Sequence, residues 1–247
     1  MTHDTPTLVF LHGVGLDHTM WDGLRDRLPQ SAVYLDLPGH GDQPVLRQKT
    51  SLQKLADDIK TRLPDGPIQL VGFSLGGLLA QRLAVDLPEK IVSVVAASTV
   101  CKRTKEERAA VLTRLETARA DFNKSTQRSI ERWYPEGVSV SPKLIAQTRT
   151  VLADNDVDSF LYAYEVFATA DQDIASDLER LQQPLLAMTG ELDPGSTPAM
   201  SHRLADAVPD GSVHIIPGAR HMVPHEQPDK FIAQLEQHFA LEEVDNR

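Results

Sequence analysis

Residues 72–76 read GFSLG, which places a serine between two glycines. The stretch follows the apolar segment IQLVG (68–72) and precedes a helical pattern that runs from Leu75 to about Asp86. A G-x-S-x-G sequence between a strand and a helix is typical of a nucleophile elbow, a sharp turn that holds a serine hydroxyl above the end of a sheet. A serine attacks only when a base and an orienting group lie beside it. We therefore predict that Ser74 is a nucleophile with two partners elsewhere in the chain.

The two partners are expected after later strands, because in this arrangement the acid and then the histidine follow the serine. Asp193 comes just after the apolar segment PLLAMTG (184–190), and His221 follows SVHIIP (212–217). The carboxyl ends of parallel strands share one edge of a sheet, so both side chains are expected beside Ser74. We predict that His221 takes the proton from the serine and that Asp193 orients the imidazole.

Other residues of the same types are weaker candidates. Glu191 is a second carboxylic acid near the same strand end, but it lies closer to the strand. His225 lies four residues after His221, where it is expected to begin the final helix or to line the approach to it. His12 and His40 lie in turns after strands, and we expect them to hold loops by hydrogen bonding.

An oxyanion formed during acyl transfer needs backbone N–H groups aimed at it. One donor is expected to be the N–H of Leu75, directly after the nucleophile. The second is expected in the loop HGVGLDHTMW (12–21), where Gly13 and Gly15 allow close approach of the backbone and Val14 supplies the N–H. The alternative, a turn that needs glycine for steric reasons alone, is compatible with this role.

The composition of the 247-residue chain disfavours several other classes of protein. The formal net charge of −10 disfavours nucleic acid and anionic membrane surfaces as partners. No apolar run reaches the ~18 residues of a membrane span. The histidines and the single cysteine have no metal-ligand spacing, and no phosphate-binding glycine loop occurs. We therefore expect a small-molecule substrate, no metal and no cofactor.

The start of the chain and its cysteine content bear on the compartment. MTHDTPTLVFLHG shows no basic leader or cleavage site before the first apolar segment, and Cys101 has no partner for a disulfide. These features favour a cytoplasmic protein in which Cys101 is a buried structural residue.

Short apolar segments alternate with amphipathic helices along most of the chain, which predicts an α/β fold with a doubly wound, mainly parallel sheet. The six predicted strands are 7–12, 32–37, 68–72, 91–97, 184–190 and 212–217. Among the helices, one is expected to begin with a capping box formed by Thr50 and Gln53, and the last to span about Pro228 to Phe239.

The alternation stops between the fourth and fifth strands. Residues 102–181 contain several helical segments, with a capping box at Thr104 and Glu107 and an N-cap at Ser141 before Pro142, but no convincing strand. We predict a core formed by residues 1–101 and 182–247 and a helical cap, residues 102–181, that covers the ends of the sheet.

Taken together, the stretches HGVGLDHTMW, DLPGHG, GFSLGG, TGELDP and GARHMVPHEQP resemble the α/β-hydrolase superfamily, in family order over almost the whole chain. The resemblance implies an α/β-hydrolase fold with a triad of Ser74, Asp193 and His221 beneath a helical cap. The cap segment SIERWYPEGV and the acid loop resemble 3-oxoadipate enol-lactonases and neighbouring hydrolases of ring-cleavage products.

Two features depart from that family pattern. Only six residues precede the first predicted strand, so the antiparallel hairpin that usually leads the sheet is expected to be missing. The sheet edge left open must then be covered or paired, and a homodimer is one way to pair it. His12-Gly13 is the common superfamily form, whereas enol-lactonases often have a different dipeptide there.

Cap residues must select the substrate. Trp133, Tyr134 and Tyr164 are expected either to form an aromatic wall of the pocket or to pack the cap on the core. Arg132 and Arg220 are candidates for bidentate binding of a substrate carboxylate, the alternative being that they are solvated surface residues.

These features predict a cofactor-free serine hydrolase that acts on a small carboxylated catabolic intermediate, an enol-lactone or an ester. The same residues would also serve an enzyme that cleaves a C–C or amide bond in a ring-cleavage product, such as an acylaminomethylene-succinate. A ligand-binding protein with slow turnover and a cofactor-free perhydrolase are further alternatives.

Overall fold

The computed structural model of the protein describes residues 5–241. Its six-stranded sheet is parallel throughout, in the order β2-β1-β3-β4-β5-β6. The strands are β1 (Thr7–Leu11), β2 (Val33–Leu35), β3 (Ile68–Phe73), β4 (Ile91–Ala97), β5 (Leu185–Gly190) and β6 (Gly211–Ile216). Each lies within a predicted segment or within one residue of it, which confirms the predicted parallel α/β sheet.

Helices cover both faces of this sheet. They are α1 (Leu52–Lys60), α2 (Leu75–Asp86), α3 (Lys105–Ala120), α4 (Phe122–Trp133), α5 (Pro142–Ala153), α6 (Val157–Thr169), α7 (Asp171–Ile174), α8 (Pro198–Ala207), α9 (Val223–Glu226) and α10 (Pro228–Phe239). Two 3₁₀-helical segments span His18–Arg27 and Leu178–Arg180. No helix within residues 5–241 is both long enough and apolar enough to cross a bilayer.

Side chains that alternate along each strand enter two separate hydrophobic clusters. In β3, Leu70 packs in one cluster with residues of α1, α2 and α8, whereas Val71 packs in the other with residues of α10 and the 3₁₀ segment at 18–27. Because both faces are buried, the central strands are apolar at nearly every position, and this property made them visible in the sequence. The edge strand β2 is half-buried, and it is shorter than the predicted segment 32–37.

Two of the three predicted helix caps are confirmed. Thr104 and Glu107 form the capping box of α3, and Ser141 caps α5, with a proline in its first turn. The capping box expected at Thr50 and Gln53 is wrong, because α1 begins one residue later. Ser51 is the N-cap and accepts a hydrogen bond from the Lys54 N–H, while the Gln53 amide donates to carboxylates further along.

The segment between β4 and β5 contains five helices, α3 to α7, and no strand. A buried ion pair joins its beginning to its end: a guanidinium nitrogen of Arg103 lies 2.9 Å from Asp171, and the Arg103 N–H donates to the same carboxylate. Arg108 adds a second contact to Asp171 at 2.9 Å. Assignment of residues 102–181 to a cap, and of the flanking parts to a core, stays a prediction, and the ends of that core at 1–4 and 242–247 lie outside the described residues.

Three stretches of backbone cross closely where β3 passes into α2. A Cβ atom on Gly72 would lie 2.2 Å from the Gly76 carbonyl oxygen, and one on Gly76 would lie 2.4 Å from the Leu11 carbonyl oxygen. Ser74, between the two glycines, has φ 54° and ψ −111°, a conformation that L residues rarely adopt. Its N–H donates to the Ala97 carbonyl at 2.9 Å, which ties the strained turn to β4.

Replacement of Gly76 by alanine is expected to lower the free energy of unfolding by about 1–3 kcal/mol, since the added methyl group overlaps backbone atoms that cannot move aside. Urea unfolding checks this. Gly23→Ala is the matched control, because no atom lies within 4 Å of a Cβ at that position. Equal stability of the two variants would contradict the steric account of the turn.

Candidate active site

A cavity lies between the carboxyl ends of the strands and helices α3 to α6. Its free space measures about 660 Å³ with the solvent in its open mouth included. Its core-side wall contains Val14, Ser74, Asp193, Pro194, Gly195, Ser196 and His221. Its opposite wall contains Arg114, Thr126, Ser129, Arg132, Trp133, Leu152, Phe160, Tyr164 and Phe167.

Ser74 lies at the N-terminus of α2 and is only 4% exposed. The first N–H groups of a helix have no partner within the helix, and they carry the positive end of its dipole. The N–H groups of Gly77 and Leu78 donate to the Ser74 carbonyl, whereas the Leu75 N–H makes no hydrogen bond within residues 5–241. Val14 lies in the cavity wall beside the serine. The assignment of the Val14 and Leu75 N–H groups as oxyanion donors stays a prediction.

His221 and Asp193 form a buried pair, with Nδ1 of the histidine 2.7 Å from Oδ2 of the aspartate. The other carboxylate oxygen accepts hydrogen bonds from the N–H groups of Gly195 (2.8 Å) and Ser196 (3.0 Å). Burial alone would raise the pKa of Asp193, but His221 and these hydrogen bonds outweigh it and hold that pKa below its usual range. Asp193 is thus a carboxylate, and Nε2 of His221 is the nitrogen left to accept a proton.

The rival candidates lie outside this cavity. Glu191 is exposed, and its carboxylate accepts the Gly218 N–H at 2.9 Å. His225 accepts a hydrogen bond from the Tyr134 hydroxyl at 2.6 Å, and its Nε2 donates to the Met20 carbonyl at 2.9 Å. Burial lowers the pKa of His225 to about 4, so its ring is neutral at neutral pH.

Trp133, the last residue of α4, and Tyr134, directly after it, contact the segment that follows β6 and contains α9. The Trp133 ring stacks on the His221 imidazole, with centroids 5.6 Å apart and planes 21° apart. Tyr134 is parallel to His225 within 10° and hydrogen-bonded to it. We call these four residues the α4 clasp. The Tyr134 hydroxyl also lies 3.2 Å from Thr148 Oγ1, which links the clasp to α5.

One residue predicted to bind the substrate, Arg220, lies outside the cavity. Its guanidinium turns toward the buried Glu226 carboxylate, 3.6 Å away, and its backbone N–H donates to the same carboxylate. Arg132 does line the cavity, as do Trp133 and Tyr164, whereas Tyr134 lies outside it and packs on His225.

Three polar residues line the cavity that the sequence did not lead us to predict: Arg114, Thr126 and Ser129. The last two precede Trp133 by two turns and one turn of α4, so the helical period could have found them. Arg114 faces them from α3, and only the packing of the two helices reveals this position.

His12 and His40 hold loops, as expected. Nε2 of His12 accepts the Leu37 N–H at 2.9 Å, and Nδ1 of His40 donates to the Pro38 carbonyl at 3.1 Å. Burial lowers the pKa of His12 to about 3 and that of His40 to about 4. Cys101 is buried, and burial raises the pKa of its thiol to about 11, so it is an unreactive structural residue.

One group within residues 5–241 brings three metal-ligand side chains together: His18, Asp36 and Asp42. Both Asp36 oxygens lie 3.0 Å from Nδ1 of His18. They also accept the N–H groups of His18 at 2.7 Å and Asp42 at 3.0 Å. The carboxylate is thus already occupied by hydrogen bonds, and it supports the loop after β2.

Residues 8–234 match the family described as "Alpha/beta hydrolase family". The chain is 29% identical over 229 residues to (E)-2-((N-methylformamido)methylene)succinate hydrolase of Acinetobacter baylyi, covering 90% of this chain and 86% of that protein. It is 31% identical over 248 residues to pimeloyl-[acyl-carrier protein] methyl ester esterase of Aeromonas hydrophila, covering 95% of each. The crystal structure of the enol-lactonase from Burkholderia xenovorans superposes with a TM-score of 0.81 at 22% identity, over 98% of this chain and 94% of that one, so the two share the fold.

The three buried neutral histidines, His12, His40 and His225, predict acid sensitivity. Between pH 6.5 and about 4 the unfolded chain takes up protons that the folded chain does not. Stability therefore falls as the pH falls through this window, by about 1 kcal/mol per pH unit for each histidine.

Thermal unfolding measured between pH 7 and pH 4 checks this expectation. The variant His225→Gln should show a shallower loss of stability with acid than the wild type. The exposed His202 provides the matched control His202→Gln. Identical slopes for all three proteins would rule out a buried neutral His225.

Proposed function

The chain belongs to the alpha/beta hydrolase family, and we propose that it is a cofactor-free serine hydrolase of a small carboxylated catabolic intermediate, an enol-lactone or an ester. One observation carries the proposal: Ser74, the His221–Asp193 pair and Arg132 line the same cavity. A nucleophile with its base and an anion-binding side chain therefore lie within reach of one small molecule.

In the proposed reaction, Nε2 of His221 takes the hydroxyl proton of Ser74 as Oγ attacks the substrate carbonyl carbon. The N–H groups of Leu75 and Val14 stabilise the oxyanion. The C–O bond to the leaving group then breaks, and His221 returns the proton to the departing oxygen. Water, activated by the same histidine, attacks the acyl-enzyme and releases Ser74. Asp193 remains ionised and stabilises the imidazolium in both steps.

The cavity wall supports the proposed substrate class. Arg132 is half-buried, and its guanidinium donates to Ser129 Oγ at 3.1 Å and to the Arg128 carbonyl at 3.4 Å, so its direction is fixed within α4. It forms no ion pair with a carboxylate of residues 5–241, which leaves a substrate carboxylate as its counter-charge. Trp133 and Tyr164 supply flat apolar surface for the carbon skeleton.

A second candidate is hydrolysis of an amide in a ring-cleavage product. The observation that favours it is the 29% identity with a relative named as an (E)-2-((N-methylformamido)methylene)succinate hydrolase. The same nucleophile and base would serve, with the leaving nitrogen protonated by His221.

We expect one member of a small substrate panel to reach a kcat/KM of about 10⁴ M⁻¹s⁻¹ or more and to lose it in Ser74→Ala. The panel holds an enol-lactone, a short aryl ester, a ring-fission dienoate and an acylaminomethylene-succinate. Ser212→Ala is the control, because Ser212 is an exposed serine of β6 outside the cavity lining. Labelling of Ser74 by a fluorophosphonate without turnover would favour a binding protein, and peroxide-dependent bromination above the hydrolytic rate a perhydrolase.

Replacement of Arg132 by glutamine is expected to raise KM for a carboxylated ester about 10-fold or more while leaving an uncharged isostere within twofold. The reason is that a hydrogen bond to a charged group contributes about 1.5–3 kcal/mol. Arg220→Gln is the matched control, since Arg220 pairs with Glu226 outside the cavity. Equal losses for the charged and uncharged esters would reject a carboxylate at Arg132.

A further inference from the structure

A second, smaller chamber adjoins the cavity on its outer side, between α3, α4 and α6. Arg114, Ser129, Arg132 and Tyr164 form walls of both spaces. The remaining walls of the chamber are Thr117, Ser125 and Arg128. The chamber therefore continues the cavity away from Ser74, toward the surface of the helical segment.

The charges that line the chamber all have one sign. Arg114, Arg128 and Arg132 contribute three guanidinium groups, and no acidic side chain lines it. The charge of Asp193 acts on Arg132, but that carboxylate is already bound to His221.

A neighbouring arginine, in contrast, does form ion pairs. Arg119, just over one turn further along α3, pairs with Glu116 and with Glu165 at 2.9 Å. The three chamber arginines form no ion pair with any carboxylate of residues 5–241. Arg114 and Arg132 are half-buried and repel each other, and Arg128 adds a third positive charge from an exposed position. An anion between these side chains removes the cost of that repulsion.

We propose that the chamber binds a second anionic group of the substrate, so that the substrate is a dianion with two carboxylates. Arg132 holds the inner carboxylate, and Arg114 and Arg128 hold the outer one. The Ser125 hydroxyl lies in the same walls and can donate to the outer carboxylate, whereas the Thr117 hydroxyl already donates to the Thr113 carbonyl at 3.0 Å. This inference rests on the proposed function for the position of the inner carboxylate, and it favours a dicarboxylate over a lactone or ester with a single carboxylate.

Binding of simple acids tests the proposal without any need for turnover. The probes are the dianions succinate, glutarate and adipate, with butyrate as the monoanion, titrated calorimetrically into Ser74→Ala. At least one dianion is expected to bind 10-fold or more tightly than butyrate. Arg114→Gln or Arg128→Gln, added to Ser74→Ala, should weaken that dianion about 10-fold and leave butyrate within twofold.

Two further variants control for charge and for folding. Lys124→Gln removes a positive charge from an exposed position of the same helix as Arg128 and should change neither acid. Arg128→Lys keeps the charge and should retain most of the preference for the dianion. The proposal is overturned if no dianion binds more tightly than butyrate, or if Arg128→Gln weakens both acids equally. Hydrolysis of an uncharged aryl ester by the wild type, measured separately, reports on the proposed function alone.

Discussion

The close crossing of three backbone segments at Gly72, Ser74 and Gly76 is the constraint on which the rest of the site depends. Neither glycine leaves room for a Cβ atom, so β3, α2 and the loop after β1 lie in nearly direct contact. This contact forces Ser74 to a positive φ and brings its side chain into the cavity. Because the sheet is parallel throughout, the loops after β5 and β6 open on the same edge, and they bring Asp193 and His221 to the same cavity.

The cavity has a negative charge in its core-side wall and positive charges in the opposite wall. At the core side, Asp193 stays charged despite its burial, because two backbone N–H groups and His221 are directed at its oxygens. On the opposite wall, Arg114 and Arg132 carry positive charge without a protein counter-ion among the described residues. A small anion in this space would lie with its charged end toward the arginines and its reacting end toward the helix N-terminus. The fixed charges of the cavity walls would thus orient such an anion even without a close fit of shape.

The fold was largely predictable because its strands are buried on both faces, so apolar runs mark them directly. The cavity residues contributed by the core were predictable for a related reason: each follows a strand, and strand ends share one edge of the sheet. The helical segment was harder to interpret. Arg220 is adjacent to His221 in sequence, yet a local pairing with Glu226 turns it away, whereas Arg114 is remote in sequence and faces the cavity through helix packing. Side-chain direction on packed helices depends on partners that sequence spacing does not specify, and the start of α1 at Leu52 shows the same limit at a helix end.

The α4 clasp has a consequence for how this architecture can be altered. Trp133 and Tyr134 belong to the helical segment, but they contact His221, in the loop after the last strand of the sheet, and His225, in α9. A chimera whose new helical segment lacks a tryptophan and a tyrosine at these positions would lose the ring stacked on the His221 imidazole and leave the His225 Nδ1 without its hydroxyl donor. An exchange of the helical segment should therefore include residues 221–225, because a boundary drawn at the ends of the helical segment would separate side chains that contact each other.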